Sequence, residues 1–302
     1  GGGQLGRMLI QACANFNVHT DVLDPDPGAP CVEIAGSFRA GDIRDFDTVT
    51  NFGKSADLIT IEIENVNIEA LKQQYRESGY VVIKDLLRDE VAQAAYEALK
   101  NQVPWEFHYR EMNTGRVGVI EPADLERLTP REVKRLVPPM ATLKDNDFSF
   151  AYCRFTIPSR AEDCPEPVRI LSDIFRYFNS EEYLSLLADI TGDASGQEVS
   201  TWCSRYDRNH HLSVHMDESQ SQTRIAAHVL ALSKDWKQEW GGNFAFCDSE
   251  GEPEIIVPPS FNSLMLFKVP RLHLVTQVES FVSESRYSLF GWYKVEKEYF
   301  HA

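Results

Sequence analysis

The chain has 302 residues, enough for one large domain or two, and its 43% apolar and 11% aromatic content is that of a globular protein with a sizeable core. Thirty basic residues stand against 46 acidic ones, and the formal charge of −16 would repel a phosphate backbone, so nucleic acid is not an expected partner. No stretch approaches the roughly 20 apolar residues of a membrane span, and no basic-then-apolar signal segment opens the chain, so a membrane is not expected either. The six cysteines (Cys13, Cys31, Cys153, Cys164, Cys203, Cys247) are scattered with no C-x-x-C pair, which predicts reduced thiols and a cytoplasmic location rather than a zinc site or a disulfide framework.

The first residues, GGGQLGRMLIQA, read as a glycine-rich turn opening a helix, and 19-HTDVLD-24 as a strand ending on acid, the second half of a β-turn-α-β unit. A further strand is expected at 58-LITIEIE-64 after a loop at 41-GDIRDFDTV-49, giving an α/β rhythm that lacks the strand expected before the glycines. Near residues 72 to 78 the character changes. The stretch 79-GYVVIKDLLRDEVAQAAYEALKN-101 predicts a strand on Val81, Val82 and Ile83, a turn, and an amphipathic helix from Glu90 with Asp89 as N-cap. Residues 103 to 165 read as loop-rich, with a helix start at 129-TPREVKRLV-137 whose Pro130 takes the first helical position. Helical spacing returns over 167 to 192 and stops near Gly192. From Glu198 onward short strand-like runs dominate, at 224–233, 243–248, 262–269, 272–278 and 286–295. Helices followed by many short strands predict an α+β fold, a double-stranded β-helix (jelly roll) with supporting helices on one side, behind a partial Rossmann-like α/β segment.

His215-Met216-Asp217 is the sharpest local feature, because a strand repeats every two residues and points an i, i+2 histidine and carboxylate to one side. His273 is the best third ligand. Two histidines and one carboxylate on one face leave coordination positions open, the facial arrangement of non-haem iron(II) oxygenases. Thirteen residues beyond His273 stands Arg286, with Ser288 on the same strand face. An arginine fork with a neighbouring hydroxyl makes a clasp for a carboxylate.

Two resemblances follow. GGGQLGRMLIQA, DVLDPDPGAPC, AGDIRDFDTV and TIEIENVNIEALK resemble the N-terminal, pre-ATP-grasp domain of 5-(carboxyamino)imidazole ribonucleotide synthase, a purine-pathway ligase, up to about Lys72. That family also needs a central ATP-grasp domain and a C-terminal domain, neither of which is recognisable after residue 72. Ligase chemistry is therefore not expected, and the segment reads as an appendage, an interaction module, or a product of gene fusion or misassembly. The ordered set Y-x8-H-x-D, EWGG-x-F and H-x12-R-Y-S-x-x-G-W resembles the prolyl 4-hydroxylase-like branch of the 2-oxoglutarate oxygenases, over roughly residues 75 to 300. The division is thus 1–72 and 75–302.

This second resemblance implies iron(II) on His215, Asp217 and His273, with Arg286 pairing the distal carboxylate of 2-oxoglutarate and Ser288 and Tyr206 hydrogen-bonding it. The H-to-R spacing is slightly longer than in many members. The resemblance implies a dioxygenase that consumes dioxygen, releases succinate and carbon dioxide, and is stimulated by ascorbate. Asp217 specifies hydroxylation, since a carboxylate there fills the position a halide takes in related halogenases. The expected substrate is an amino-acid side chain, with peptidyl proline first. The alternatives are a free amino acid or small metabolite and, from another class, a non-catalytic binding module or ligase remnant. The acidic balance leans toward a cationic target by steering.

Other conspicuous residues receive plainer readings. His210 and His211 are assigned to a solvated loop, and His228 to a core or surface position rather than a fourth ligand. Trp236, Trp240 and Trp292 are assigned to packing before cleft lining.

Overall fold

The computed structural model describes residues 4–15, 18–43, 45–54, 68–111, 114–136, 148–158 and 160–296. The chain divides into two compact units, Gly1–Ala70 and Leu71–Ala302. In the first, helix α1 (Gln4–Ala14) precedes strands β1 (Asp21–Asp24) and β2 (Ser37–Ala40), which pair in parallel, and helix α2 (Phe46–Gly53) follows. Ile10, Val22 and Cys31 form its small core. The region read as a loop at 41–49 instead starts α2, because the Asp45 side chain caps it by accepting from the Thr48 N–H at 2.7 Å. The glycines at 1–3 and the strand expected at 58–64 lie outside the described residues.

In the second unit, helix α3 (Ile68–Ser78), which spans the division, leads into strand β3 (Tyr80–Ile83) and helix α4 (Asp89–Asn101). Asp89 is the first residue of α4 rather than its cap; Arg88 holds that position without a side-chain hydrogen bond. The stretch expected to be loops carries strands β4 (Glu106–Arg110) and β5 (Val117–Ile120), short helices α5 (Pro122–Leu125) and α6 (Pro130–Leu136), and strand β6 (Phe150–Thr156). The helical region 167–192 is two helices, α7 (Arg169–Phe178) and α8 (Glu181–Thr191). Ser180 caps α8, which ends on a left-handed Gly192 at φ 72°.

The remaining strands are β7 (Glu198–Tyr206), β8 (His211–His215), β9 (Gln222–Ala231), β10 (Phe244–Cys247), β11 (Pro253–Val257), β12 (Ser263–Lys268), β13 (His273–Val275) and β14 (Arg286–Glu296). With β3 to β6 they make a 12-stranded antiparallel sheet. One edge of β6 sets its shape. Residues 153–156 of β6 pair with β7, while Phe150 and Ala151 pair with β8, the next strand in the chain. Two leaves part there, β7-β14-β9-β12-β3 and β8-β13-β10-β11. This is the expected double-stranded β-helix.

An inner core fills the space between the leaves, with Tyr206, Ala227, Met265 and Phe267 from one and Phe244, Phe246 and Val275 from the other. The outer face of the first leaf packs Val199, Leu230, Leu264 and Leu289 on α3, α4, α7 and α8. On α7, Leu171, Ile174 and Phe178 recur at helical spacing and are buried, each side chain contributing roughly 1.5–3 kcal/mol. Within that face a Cβ on Gly291 would stand 1.7 Å from the Ser200 carbonyl oxygen, so no larger residue fits. The room left there is taken by His228, whose Nε2 reaches the same carbonyl at 3.3 Å.

His228 is fully buried, with the Phe178 ring edge-on at 5.0 Å and no charged group against it among the described residues. Burial pushes its pKa down to about 4, opposed only by the Ser200 carbonyl. An unfolded histidine titrates near 6.5, so between these values the unfolded chain holds the extra proton. Stability is therefore complete above about pH 6.5 and falls as pH drops toward 4, by up to about 1.4 kcal/mol per pH unit. Thermal melts from pH 7 to pH 5 should show this loss, and His228→Gln should remove its share of the slope, leaving those of the buried His210 and His273. An unchanged slope in the variant would remove His228 as the cause.

Candidate active site

β8 and β13 are antiparallel neighbours with His273 directly opposite His215, and the two rings lie 4.1 Å apart between centroids. Asp217 stands two residues past the end of β8. Its carboxylate oxygens approach His215 Nε2 at 3.6 Å and His273 Nε2 at 3.4 Å. Each imidazole is oriented from behind: His215 Nδ1–H donates to the Ser213 carbonyl at 2.9 Å and His273 Nδ1–H to the Arg271 carbonyl at 2.8 Å. Those bonds place the proton on Nδ1 and turn an Nε2 lone pair toward Asp217. Three acceptors thus converge with no donor between them, an arrangement suited to a cation.

Burial pushes His273 down to about 4, with the neighbouring His215 acting the same way, and so keeps the ring neutral. Phe244 stacks on His273 at 5.1 Å and Phe267 meets it edge-on at 4.9 Å, fixing the ring plane.

A cavity of about 220 Å³ between the leaves holds the triad together with Tyr206, Arg286 and Ser288. Arg286 is 3% exposed, its Nε has no hydrogen-bond partner, and it has no ion pair among the described residues. Burial pushes this guanidinium below its ordinary value. An uncompensated buried charge costs several kcal/mol, which a bound carboxylate would offset. Arg286 sits over the Tyr206 ring at 5.1 Å, and Tyr206 stacks on Tyr152 at 5.2 Å. The Ser288 hydroxyl hydrogen-bonds Ser204 at 2.7 Å, across the β14–β7 pair. Residues and implied groups fit: three converging acceptors for iron(II), one unpaired guanidinium for a carboxylate.

His210 and His211, expected in a solvated loop, are both buried. His210 Nδ1 accepts from the Asp207 N–H at 3.1 Å under Phe107, and His211 Nε2 bonds Ser149 Oγ at 3.0 Å. Trp236 and Trp240 pack on each other at 5.3 Å, whereas Trp292 lines the cavity. Sequence reasoning missed Ser204, Phe148, Phe150, Tyr152 and Phe290, the rest of the polar clasp and the aromatic wall. Their strand periodicity is a signal, but only pairing across the sheet brings them to the metal ligands. A second trio, Cys153, Asp207 and His210, already encloses a cation: Arg205 reaches Cys153 Sγ at 3.4 Å and Asp207 at 3.1 Å.

Residues 201–294 match the 2OG-Fe(II) oxygenase superfamily, and this part of the chain is a 2-oxoglutarate-dependent oxygenase domain. Residues 1–85 match the ribonucleotide synthetase preATP-grasp domain, a range that extends past Ala70 into β3 of the oxygenase sheet.

Among curated proteins the chain is similar to N5-carboxyaminoimidazole ribonucleotide synthase of Staphylococcus epidermidis, at 33% identity over 111 residues. That alignment takes in 35% of this chain and 29% of the relative. The Staphylococcus aureus enzyme is 34% identical over 105 residues, 33% of this chain and 27% of the relative. The chain therefore spans under a third of these relatives. Solved structures with some likeness include a Pseudomonas putida prolyl-4-hydroxylase (13% identity, 76% of this chain, all of that one, TM-score 0.47). Another is a Trichoplax adhaerens prolyl hydroxylase with a hypoxia inducible factor peptide (16%, 75% and 88%, TM-score 0.47).

Three converging acceptors should gain from a cation. Manganese(II) at about 100 times its Kd should stabilise the full chain by about 2.7 kcal/mol, raising the unfolding midpoint by about 5–10 °C. Asp217→Asn should lose most of that shift. An equal shift in the variant would locate the ion elsewhere.

Proposed function

We propose that residues 75–302 form a hydroxylase domain, preceded by a pre-ATP-grasp-like segment at 1–72, and that it hydroxylates an amino-acid side chain, with peptidyl proline the leading target. The observation that carries this reading is the unpaired, buried Arg286 in the same cavity as the converging His215, Asp217 and His273. His215, Asp217 and His273 would hold iron(II). Arg286 would pair with the far carboxylate of 2-oxoglutarate, and Ser288 and Tyr206 would complete that seat. Iron(II) with 2-oxoglutarate and dioxygen would supply the oxidising power for C–H hydroxylation, releasing succinate and carbon dioxide.

The chain's own groups have separate tasks. The Ser213 and Arg271 carbonyls keep both ligand rings in one tautomer. Phe244 and Phe267 hold the His273 ring in the cavity wall, and Arg286 would orient the co-substrate by a fork that a single amine could not reproduce. Ascorbate is expected to stimulate turnover. A free amino acid or small metabolite is the second reading, favoured by a cavity of only about 220 Å³.

The test is succinate formation by the full chain given iron(II), 2-oxoglutarate and oxygen without substrate. Slow uncoupled turnover is expected, at least about 100-fold lower in His215→Ala. Arg286→Gln should raise the KM for 2-oxoglutarate on the order of 100-fold, the loss of a buried charge pair. No turnover in the wild type would leave a non-catalytic module. ATP hydrolysis dependent on aminoimidazole ribonucleotide and bicarbonate would restore the ligase reading.

A further inference from the structure

Beyond the triad, strand alternation sets Trp202, Phe290 and Trp292 on one face of β7 and β14 as a ledge, of which Phe290 and Trp292 line the cavity. Phe290 lies opposite Trp202 in the β14–β7 register, and the Trp202 and Trp292 rings are 5.4 Å apart. A guanidinium lies over each indole. Arg224 stands 3.5 Å above the Trp292 ring and Arg154 stands 4.7 Å above Trp202. Stacking of this kind pre-orients the fork and leaves its edge N–H groups free to bind.

Neither arginine makes a direct ion pair among the described residues, although the Asp217 charge acts on Arg224. Arg224 donates only to the Asp217 backbone carbonyl, at 3.0 Å, and has no ion pair among the described residues. Arg154 also has none: Glu106, its partner across the β4–β6 pair, is engaged by His108 at 2.9 Å. The Nε of both guanidiniums is buried without a hydrogen-bond partner. Buried donors left unmade cost about 1–3 kcal/mol each. In a chain of net charge −16, two such cations beside one apolar ledge oppose the overall field. A ligand that brings its own negative charge and an apolar body would satisfy both features.

Resting on the oxygenase reading of the cavity, we infer that the substrate presents a carboxylate to Arg154 and Arg224, with its apolar portion on the Trp202–Phe290–Trp292 ledge and its target C–H bond toward the triad. This reverses the cationic preference expected from overall charge. The carboxylate has two sources, that of a free acid and that of an acidic side chain in a peptide.

Trp202 and Trp292 lie under the two guanidiniums, so intrinsic fluorescence of the full chain reads occupancy. Titrations are made with 2-oxoglutarate present, so that its carboxylate competes for Arg286. One arm compares the N-acetyl derivatives of proline, leucine and phenylalanine with their amides. The other compares end-capped tetrapeptides carrying aspartate or asparagine beside the same three residues. The carboxylate member should bind about 10- to 100-fold more tightly in one arm, which names the source. Raised salt should narrow the gap. Arg154→Gln and Arg224→Gln should each reduce the preference, and their combination should bring it near unity; Arg→Lys variants serve where a Gln variant does not fold. No carboxylate preference in either arm, or one that survives the double variant, overturns the inference. Uncoupled succinate formation is assayed separately on the same wild-type chain. Carboxylate preference without turnover removes the oxygenase reading, and turnover without preference removes the arginine seat.

Discussion

Everything in the oxygenase domain depends on the parting of two leaves along one edge of β6. Because β7 and β8 occupy successive stretches of that edge, the chain turns sharply at residues 207–210 and the sheet opens instead of continuing flat. The opening sets His215 opposite His273 and leaves Asp217 just beyond the last paired residue. Three lone-pair donors are then held within reach of one another by backbone pairing, although without a cation they repel. The scaffold supplies that constraint, through the outer core beneath the first leaf and the inner core between the leaves.

The same opening explains the unbalanced charges. Arg286 begins β14 opposite Tyr206, between the leaves, where its guanidinium is buried and has no ion pair among the described residues. Arg154 and Arg224 stand over the indoles of Trp202 and Trp292, Arg224 also donating to the Asp217 carbonyl. A fold tolerates such groups when a ligand completes them, and each then becomes a statement about ligand charge. One inner and two outer cations around a metal-shaped cluster of acceptors describe a site for two anionic molecules, one at each end.

Much of this was legible in the sequence because strand geometry is local. His215 and Asp217, and likewise Arg286 and Ser288, fall two residues apart, and the period of a strand carries that spacing into space even though Asp217 lies past the strand end. The aromatic ledge and its arginines were not legible. They come from β6, β7, β9 and β14, and no sequence spacing announces which strands become neighbours. The stretch at 103–165 read as loop because EFHYR mixes charge with apolar residues, as a pairing strand with one polar face does, and its partner VGVI is only four residues long. His210 and His211 read as solvated because their burial depends on Phe107 and Ser149, far away in the chain. The helix at Phe46 was hidden by a cap, a single aspartate in a run of acids.

The most direct test of the account is a crystal structure of the full chain grown without oxygen in the presence of manganese(II) and 2-oxoglutarate. The account predicts one ion bound to His215 Nε2, Asp217 and His273 Nε2, with the far carboxylate of 2-oxoglutarate on the Arg286 guanidinium. An ion bound elsewhere, or a dicarboxylate that leaves Arg286 unpaired, would contradict it.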